Sequence, residues 1–332
     1  MMNKKIALIY MGGTFGCIGE PLAPMPETEF IPKLEKVLPS HLQIECFKAP
    51  AILDSSACTA QVWLKLIQQI QNLQHAFEYF VVIHGTDTLS YAAAVLSRFL
   101  ADSCTVILTG SQYPLLDTQG DGIRELSDAM DNLNTALENL TKVPSGVYLA
   151  FYHQVFYART ALKFHGTALD AFHGQKVENL QKNIFPSQNQ AYIIDQVDIE
   201  KAQQLNILNW MILPIEQQQL ENNLATLLHK PPHFLILQAY GVGNLAVNAT
   251  IIQYLKRLKA HGCCVILSSQ VPFGGLDQRY AVSQWIQDAN ILCSDAQSQA
   301  DLYAKILKIY LQYPSSQQWH DHWYDHLNNQ PE

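Results

Sequence analysis

The sequence predicts an α/β fold of two domains, a larger N-terminal one on a mainly parallel sheet and a smaller C-terminal α/β one. Three observations predict it. Short apolar runs alternate with longer segments of helical period, which is the pattern of strands joined by crossover helices. The rhythm stops once, in a polar stretch, and then resumes. The 332 residues also suffice for two cores at ~100–200 residues per domain.

In the first half, residues 5–10, 79–84, 104–109 and 146–151 read as buried strands. They are short, rich in Val, Ile and aromatics, and bounded by turn residues. Residues 60–77, 90–100 and 121–140 show helical spacing; Val62, Leu66, Ile70 and Leu73 fall on one helix face. The polar, glutamine-rich stretch 181–203, with an apolar interlude at 192–194, reads as the connection. The expected limits are 1–190 for the first domain, 191–206 for the linker and 207–332 for the second domain. There, residues 206–213, 234–239 and 263–268 read as strands, and 217–228, 248–261 and 300–312 as helices.

Composition excludes several classes. Charged residues make up only 15% and the net charge is -8, so no basic stripe exists for nucleic acid. The acidic balance fits a small-molecule substrate without choosing one. No run approaches the ~20 apolar residues of a membrane span. Lys4 and Lys5 precede an apolar run that Gly12 and Gly13 soon break, which reads as a first strand rather than a signal peptide. The seven cysteines are odd in number and scattered, which points to core packing in a reducing compartment. A soluble protein without a membrane anchor is therefore expected.

In open parallel sheets ligands bind beyond the carboxyl ends of the strands, so the residues after each strand carry the information. Met11-Gly12-Gly13-Thr14 follows the first strand. Paired glycines permit a tight turn and close approach of a ligand, and they leave the Thr14 hydroxyl at the strand end. His84-Gly85-Thr86-Asp87-Thr88 follows the strand at 79–84. A helix cap accounts for one of these residues but not for the crowding of a glycine, two threonines and a carboxylate. Leu53-Asp54-Ser55-Ser56 follows the apolar Pro50-Ala51-Ile52 and offers a carboxylate and two hydroxyls, although capping alone also explains it.

Two other features carry less. Gly241-Val242-Gly243-Asn244-Leu245-Ala246 fits the dinucleotide fingerprint G-x-G-x-x-A, but Ser268-Ser269-Gln270 stands where an acid should hold a ribose. The tail around His320, His322 and His326 is dense in possible metal ligands, yet it reads better as a docked or exposed aromatic terminus. Neither cofactor nor metal is expected.

Taken together, these loops resemble the asparaginase family. The resemblance rests on Gly12-Gly13-Thr14, Asp54-Ser55-Ser56 and His84-Gly85-Thr86-Asp87-Thr88. It continues through Thr109-Gly110-Ser111-Gln112, Asp121-Gly122, Arg159 with Lys163, Asp170-Ala171-Phe172 and Tyr240-Gly241-Val242-Gly243-Asn244. The order holds from about residue 5 to about 310, and the compact length looks like the cytoplasmic, type I branch. The resemblance implies hydrolysis of L-asparagine to L-aspartate and ammonia, without metal or organic cofactor. It makes Thr14 the nucleophile and Thr86, Asp87 and Lys163 a second catalytic group. It assigns Asp54, Ser55, Ser56, Gly85 and Asn244 to substrate binding, Asn244 in a loop that often reaches a neighbouring subunit. A homodimer or homotetramer is implied.

The chain departs from the family at several points. No tyrosine lies between Tyr10 and Tyr79, where a mobile lid normally carries one; the stretch holds Pro21, Pro24 and Pro26 instead. Ala57, Leu162 and Met11 replace a common acid and two threonines. The alternatives are an amidase for another amide, such as L-glutamine or a D-asparagine-like substrate, and a non-catalytic binding protein on the same fold.

Overall fold

The computed structural model describes residues 5–177, 190–277 and 284–325. The chain forms two compact units, Met1–Glu200 and Lys201–Glu332. The first is built on a six-stranded sheet. Its elements run β1 (Lys5–Tyr10), α1 (Glu27–Val37), β2 (Gln43–Lys48), α2 (Ala60–Leu73), β3 (Tyr79–Ile83), α3 (Leu89–Leu100), β4 (Thr105–Thr109), α4 (Ala129–Asn139), β5 (Gly146–Phe151) and β6 (Gln154–Tyr157). The strand order is β2-β1-β3-β4-β5-β6, all parallel except the β5–β6 hairpin. The α/β expectation with a mainly parallel N-terminal sheet therefore holds.

Alternation along each strand feeds two cores. Ile6, Leu8 and Tyr10 share one face with Val81, Ile83, Ile107 and Tyr148, under Phe30 and Leu34 of α1 and Leu133 and Leu137 of α4. Ala7, Ile9, Phe80, Val82, Val106 and Leu108 point the other way and are equally buried. A strand covered on both faces loses the polar alternation of a half-exposed one, and the apolar runs in the sequence show this.

The chain leaves β1 towards β2 on one side, then returns past β1 to β3 on the other. Helices on the two sides leave a crevice at such a reversal, between the carboxyl ends of β1 and β3. A second irregularity lies further on. The steps β3 to β4 and β4 to β5 go in the same direction, yet α4 shares the face of α1 whereas α3 packs with α2. One of these two crossovers therefore has the uncommon left hand.

The β4–α4 connection is a long loop rather than the early helix expected from residue 121. Asp117 explains part of the difference: its carboxylate accepts the backbone N–H groups of Gln119, Asp121 and Gly122 and closes a turn there. Leu126 then takes a positive φ of 56°, so α4 starts only at Ala129. The sequence pattern also missed α1 and the edge strand β2.

The second unit holds the strands β7 (Ile207–Met211), β8 (Phe234–Ala239), β9 (Cys264–Ser269) and β10 (Leu292–Cys293), all parallel and in sequential order. The chain enters this unit within α5 (Gln196–Ala202), and α6 (Gln217–Leu227), α7 (Ala249–Ala260), α8 (Gln284–Ala289), α9 (Gln299–Gln312) and α10 (Ser316–Asp321) complete it. The order never reverses, so this sheet has no switch-point crevice. Its tail is docked: Trp323 is fully buried and donates to the Cys293 carbonyl, and Trp319 stacks on Phe234 at 4.9 Å. His322 pairs with Asp325 at 2.6 Å, and His326 lies outside the described residues. Residues 181–189 of the polar connection also lie outside them; Ile194 and Tyr192 accept hydrogen bonds from Gln68 and Gln71 of α2.

Asp128 organises the long loop. Its carboxylate accepts from the backbone N–H groups of Gln112 and Tyr113 and from Asn132 Nδ2, at 2.9–3.1 Å, and Asn132 also reaches the Gly110 carbonyl. Asp128→Ala leaves these donors, of which Asn132 is buried, without their acceptor. We expect a stability loss of about 2–4 kcal/mol in urea unfolding, against a smaller loss for Asp128→Asn.

Candidate active site

Three loops meet at the crevice, and glycine is what lets them meet. Gly13 has φ 85°, and a Cβ there would overlap the Cα of Gly85. A Cβ on Gly85 would lie 2.6 Å from Ser55 Oγ, and one on Gly12 would press on the Leu53 carbonyl at 3.0 Å. Backbone bonds tie the same loops: Met11 N to the Ile83 carbonyl at 2.9 Å, and Leu53 N to the Met11 carbonyl at 3.2 Å. Thr14, Ser55 and Thr86 are thus brought to one place by backbone contact between the turns that carry them.

Each loop then shapes its own residue. Thr14 opens a single 3-10 turn, Thr14–Gly16, and is half-buried. Ser55 opens another, Ser55–Ala57, with Asp54 as its cap. Asp54 Oδ1 accepts from Ser56 N at 2.8 Å and Ser56 Oγ at 2.6 Å, and the Ser56 hydroxyl first, then its amide, holds the Asp54 carboxyl below the usual range. Asp54 and Ser56 are exposed, whereas Ser55 is buried. Ser55 Oγ accepts from Asp87 N at 3.3 Å, and its carbonyl accepts from Thr88 Oγ1 at 2.7 Å, so it braces the second loop.

Lys163 arrives from elsewhere in the chain. It lies in a two-residue strand, Leu162–Lys163, paired antiparallel with Phe172–His173. Its ammonium donates to Thr86 Oγ1 at 2.9 Å and to Asp87 Oδ1 at 2.8 Å. Thr86 is buried, Lys163 is mostly so, and the Asp87 side chain is 62% exposed, which puts the ion pair at the rim of the crevice. Gln112 Nε2 donates to the Ala168 carbonyl at 2.9 Å and fastens the turn beyond Lys163 to the loop after β4.

Beneath the loops is a polar layer that sequence reading passed over. His84 is 1% exposed. The indole N–H of Trp63 donates to its Nε2 at 3.1 Å, and its Nδ1 lies 2.8 Å from the Gly85 carbonyl. Burial pulls its pKa down to about 4, although the Gly85 carbonyl works in the opposite direction. The one sequence signal for His84 is its place in the His-Gly-Thr-Asp-Thr run; Trp63 carries none, because the helical period of α2 shows only its aliphatic stripe.

Asn244 belongs to the second unit. It closes a tight turn, with Tyr240 N on the Asn244 carbonyl at 3.0 Å and Asn244 N on the Tyr240 carbonyl at 2.8 Å. The apparent dinucleotide fingerprint is this turn. α7 starts only at Ala249, capped by Asn248, rather than at the glycines, so no helix N-terminus faces a pyrophosphate there. Among the described residues no group of three His, Cys, Asp or Glu side chains is placed to hold a metal ion.

The fold and site together define an α/β protein whose crevice gathers two threonines, a serine, a lysine and a carboxylate. The family described as "Asparaginase, N-terminal" matches residues 5–198. L-asparaginase 1 of Escherichia coli (strain K12) is 26% identical over 314 residues, covering 88% of this chain and 87% of that protein. Among solved structures, L-asparaginase I from Vibrio cholerae superposes with a TM-score of 0.76 at 23% identity, with 96% of each chain covered. The thermostable L-asparaginase from Thermococcus kodakarensis gives the same TM-score at 20% identity and the same coverage. The chain belongs to the asparaginase family, and its homology to L-asparaginases supports an amidohydrolase.

Two outcomes test this geometry. Gly85→Ala forces the loops apart, and we expect about 1–3 kcal/mol of destabilisation with displacement of Ser55, read by unfolding and by a crystal structure. His84 also makes stability depend on pH. Its folded pKa of about 4 lies below the ordinary 6.5, so only the unfolded chain takes up this proton between those values. The contribution is complete above about pH 6.5, falls with pH, and is gone below about 4; its size is ~3 kcal/mol. Unfolding free energies from pH 7 to 4 for wild type and His84→Asn should differ in slope over that window.

Proposed function

We propose that this chain hydrolyses the side-chain amide of L-asparagine to L-aspartate and ammonia, with Thr14 as nucleophile. The observation that carries the reading is the Lys163 ammonium on both Thr86 Oγ1 and Asp87 Oδ1, at the crevice where the Thr14 turn touches the Thr86 turn.

The chemistry runs in two halves. Thr14 Oγ attacks the amide carbon, and its proton passes along Thr86 Oγ1 and Lys163 to the Asp87 carboxylate. Backbone N–H groups of the glycine-rich loop stabilise the oxyanion. The C–N bond breaks, the nitrogen takes the proton, and ammonia leaves an acyl ester on Thr14. Water then attacks the ester with the same group as base, which releases L-aspartate and restores the Thr14 hydroxyl. A lysine that donates to a threonine oxygen leaves that hydroxyl's own hydrogen and second lone pair for a proton relay.

The remaining residues fit an α-amino acid. Asp87 offers its second carboxylate oxygen to the substrate ammonium, and Ser55, with Asp54, Ser56 and Gly85 around it, receives the α-carboxylate. Asn244 completes the site in a homodimer or homotetramer. The reaction requires neither metal nor organic cofactor. We place the activity in the cytoplasm.

One feature favours a second substrate reading. Cys17–Ile18 pairs with Ala23–Pro24 as a short proline-flanked hairpin without a tyrosine. An amide other than L-asparagine, such as L-glutamine or D-asparagine, is the alternative substrate.

Ammonia release from L-asparagine, L-glutamine and D-asparagine separates these readings. We expect L-asparagine to be preferred and Thr14→Ala to lower turnover by about 10³-fold or more while keeping the wild-type melting temperature. A folded Thr14→Ala enzyme of full activity overturns the nucleophile assignment. No release from any of the three substrates moves the function to another amide or to binding alone.

A further inference from the structure

The buried His84 is not one of the groups that the proposed reaction uses, and its two ring nitrogens have unequal partners. A tryptophan indole N–H only donates, so Nε2 of His84, 3.1 Å from Trp63 Nε1, must present a lone pair. The ring is neutral, and its one hydrogen therefore sits on Nδ1, where it donates to the Gly85 carbonyl at 2.8 Å. Trp63 thus sets the tautomer, and the tautomer makes the bond to Gly85. The reverse tautomer would place two donors face to face at Nε2 and two acceptors face to face at Nδ1.

The Gly85 carbonyl belongs to the peptide that ends in the Thr86 N–H. In a trans peptide the C=O and N–H groups point in opposite directions. The carbonyl turns towards a histidine that is 1% exposed, so the Thr86 N–H turns away from the core. It donates no hydrogen bond among the described residues, whereas the next amide, Asp87 N, is held by Ser55 Oγ. Gly85 has no side chain to fix its peptide plane, and its contact with Gly13 and Ser55 leaves no room for one. Some other group must hold that plane, and the His84 ring is the group in contact with it.

We propose that His84, locked by Trp63 as the Nδ1–H tautomer, is a positioning residue that holds the Gly85–Thr86 peptide with its N–H and the Thr86 side chain aimed into the crevice. The effect on turnover rests on the amidohydrolase reading above; the tautomer and the peptide orientation do not. A backbone N–H fixed in advance stabilises developing negative charge without reorganising during the reaction, so loss of the lock should lower kcat more than it raises KM.

The test combines a spectroscopic readout with a kinetic one. Nitrogen-15 NMR of the imidazole at pH 7 should show His84 protonated on Nδ1 and bare on Nε2 in wild type, and a mixture of tautomers in Trp63→Phe. Ammonia release should show kcat reduced about 10–100-fold in Trp63→Phe with KM changed less than threefold. His84→Asn keeps a donor near the place of Nδ1 and should retain activity within about fivefold; His84→Leu keeps bulk without the donor and should lose about 100-fold. An Nε2–H tautomer in wild type overturns the proposal, and so does equal kcat in folded Asn and Leu variants. Should wild type release no ammonia from L-asparagine, L-glutamine or D-asparagine, the substrate reading falls on its own. The lock then stands or falls by the NMR pattern and by whether a crystal structure of His84→Leu, but not of His84→Asn, shows the Gly85–Thr86 peptide rotated.

Discussion

The approach of Gly13 to Gly85 is the constraint on which the rest of the crevice depends. Two loops from adjacent parallel strands touch through their backbones, with no side chain between them. This brings the residues that follow, Thr14 and Thr86, nearer than a β-carbon on either glycine would allow. Ser55 closes the third side, because a β-carbon on Gly85 would lie 2.6 Å from its hydroxyl oxygen. Strand order makes the contact possible: the chain reverses direction between β1 and β3, and at that reversal no crossover helix covers the strand ends.

The polar groups are layered by depth. The charged pair, Lys163 with Asp87, is at the rim, where water still reaches the carboxylate. The group below it, His84, is buried and held neutral. A charged imidazole at that depth would lack its hydration and face the Trp63 donor, whereas a neutral one satisfies both its nitrogens and costs little. The long loop after β4 follows the same rule. Asp128 is buried as an acceptor for several N–H groups, and through Gln112 that loop holds the turn beyond Lys163. Polar bonds from a distant segment therefore add to the apolar anchor of the lysine's partner strand, where buried Phe172 packs on Phe151 at 4.8 Å.

Most of the fold was legible in the sequence because buried parallel strands betray themselves as uninterrupted apolar runs, and β1, β5 and β8 fall where those runs are. The elements that escaped lack that signal. Only two residues of α1, Phe30 and Leu34, are buried, and the helix carries a proline, Pro32, in its interior. β2 is an edge strand of mixed polarity. The overextended helix at 121–140 failed because Asp117 and the left-handed Leu126 redirect the backbone, and periodicity is blind to side-chain-to-backbone bonds. In the site, the loop residues could be found because they follow strands. Lys163 could not be placed by spacing, since its partners lie more than seventy residues away and only the resemblance pointed to it. His84 and Trp63 were hidden because a histidine in an apolar strand end and a tryptophan on an apolar helix look like ordinary packing.

The segment after Thr14 bears on how a proton can leave the nucleophile in the proposed reaction. The Cys17–Ile18 and Ala23–Pro24 hairpin is paired with itself, and Met25 N donates to the Gly16 carbonyl at 2.9 Å. On its other side the hairpin abuts Gly120, whose carbonyl accepts from Lys33 at 2.6 Å. A segment tied at both flanks, without a tyrosine, is not suited to swing an acceptor onto Thr14. The nearest tyrosine in sequence, Tyr10, lies beneath Gly16, where a β-carbon would strike its hydroxyl. It is 1% exposed, and burial, with Cys17 and Glu27 adding to it, pushes its phenol well up and keeps it protonated. Such a phenol donates a hydrogen bond but does not take a proton at neutral pH. The acceptor for Thr14 must then come from groups already in place: Thr86 and Asp87, which the meeting of the glycine loops brings there, and Lys163, which reaches them from its own strand.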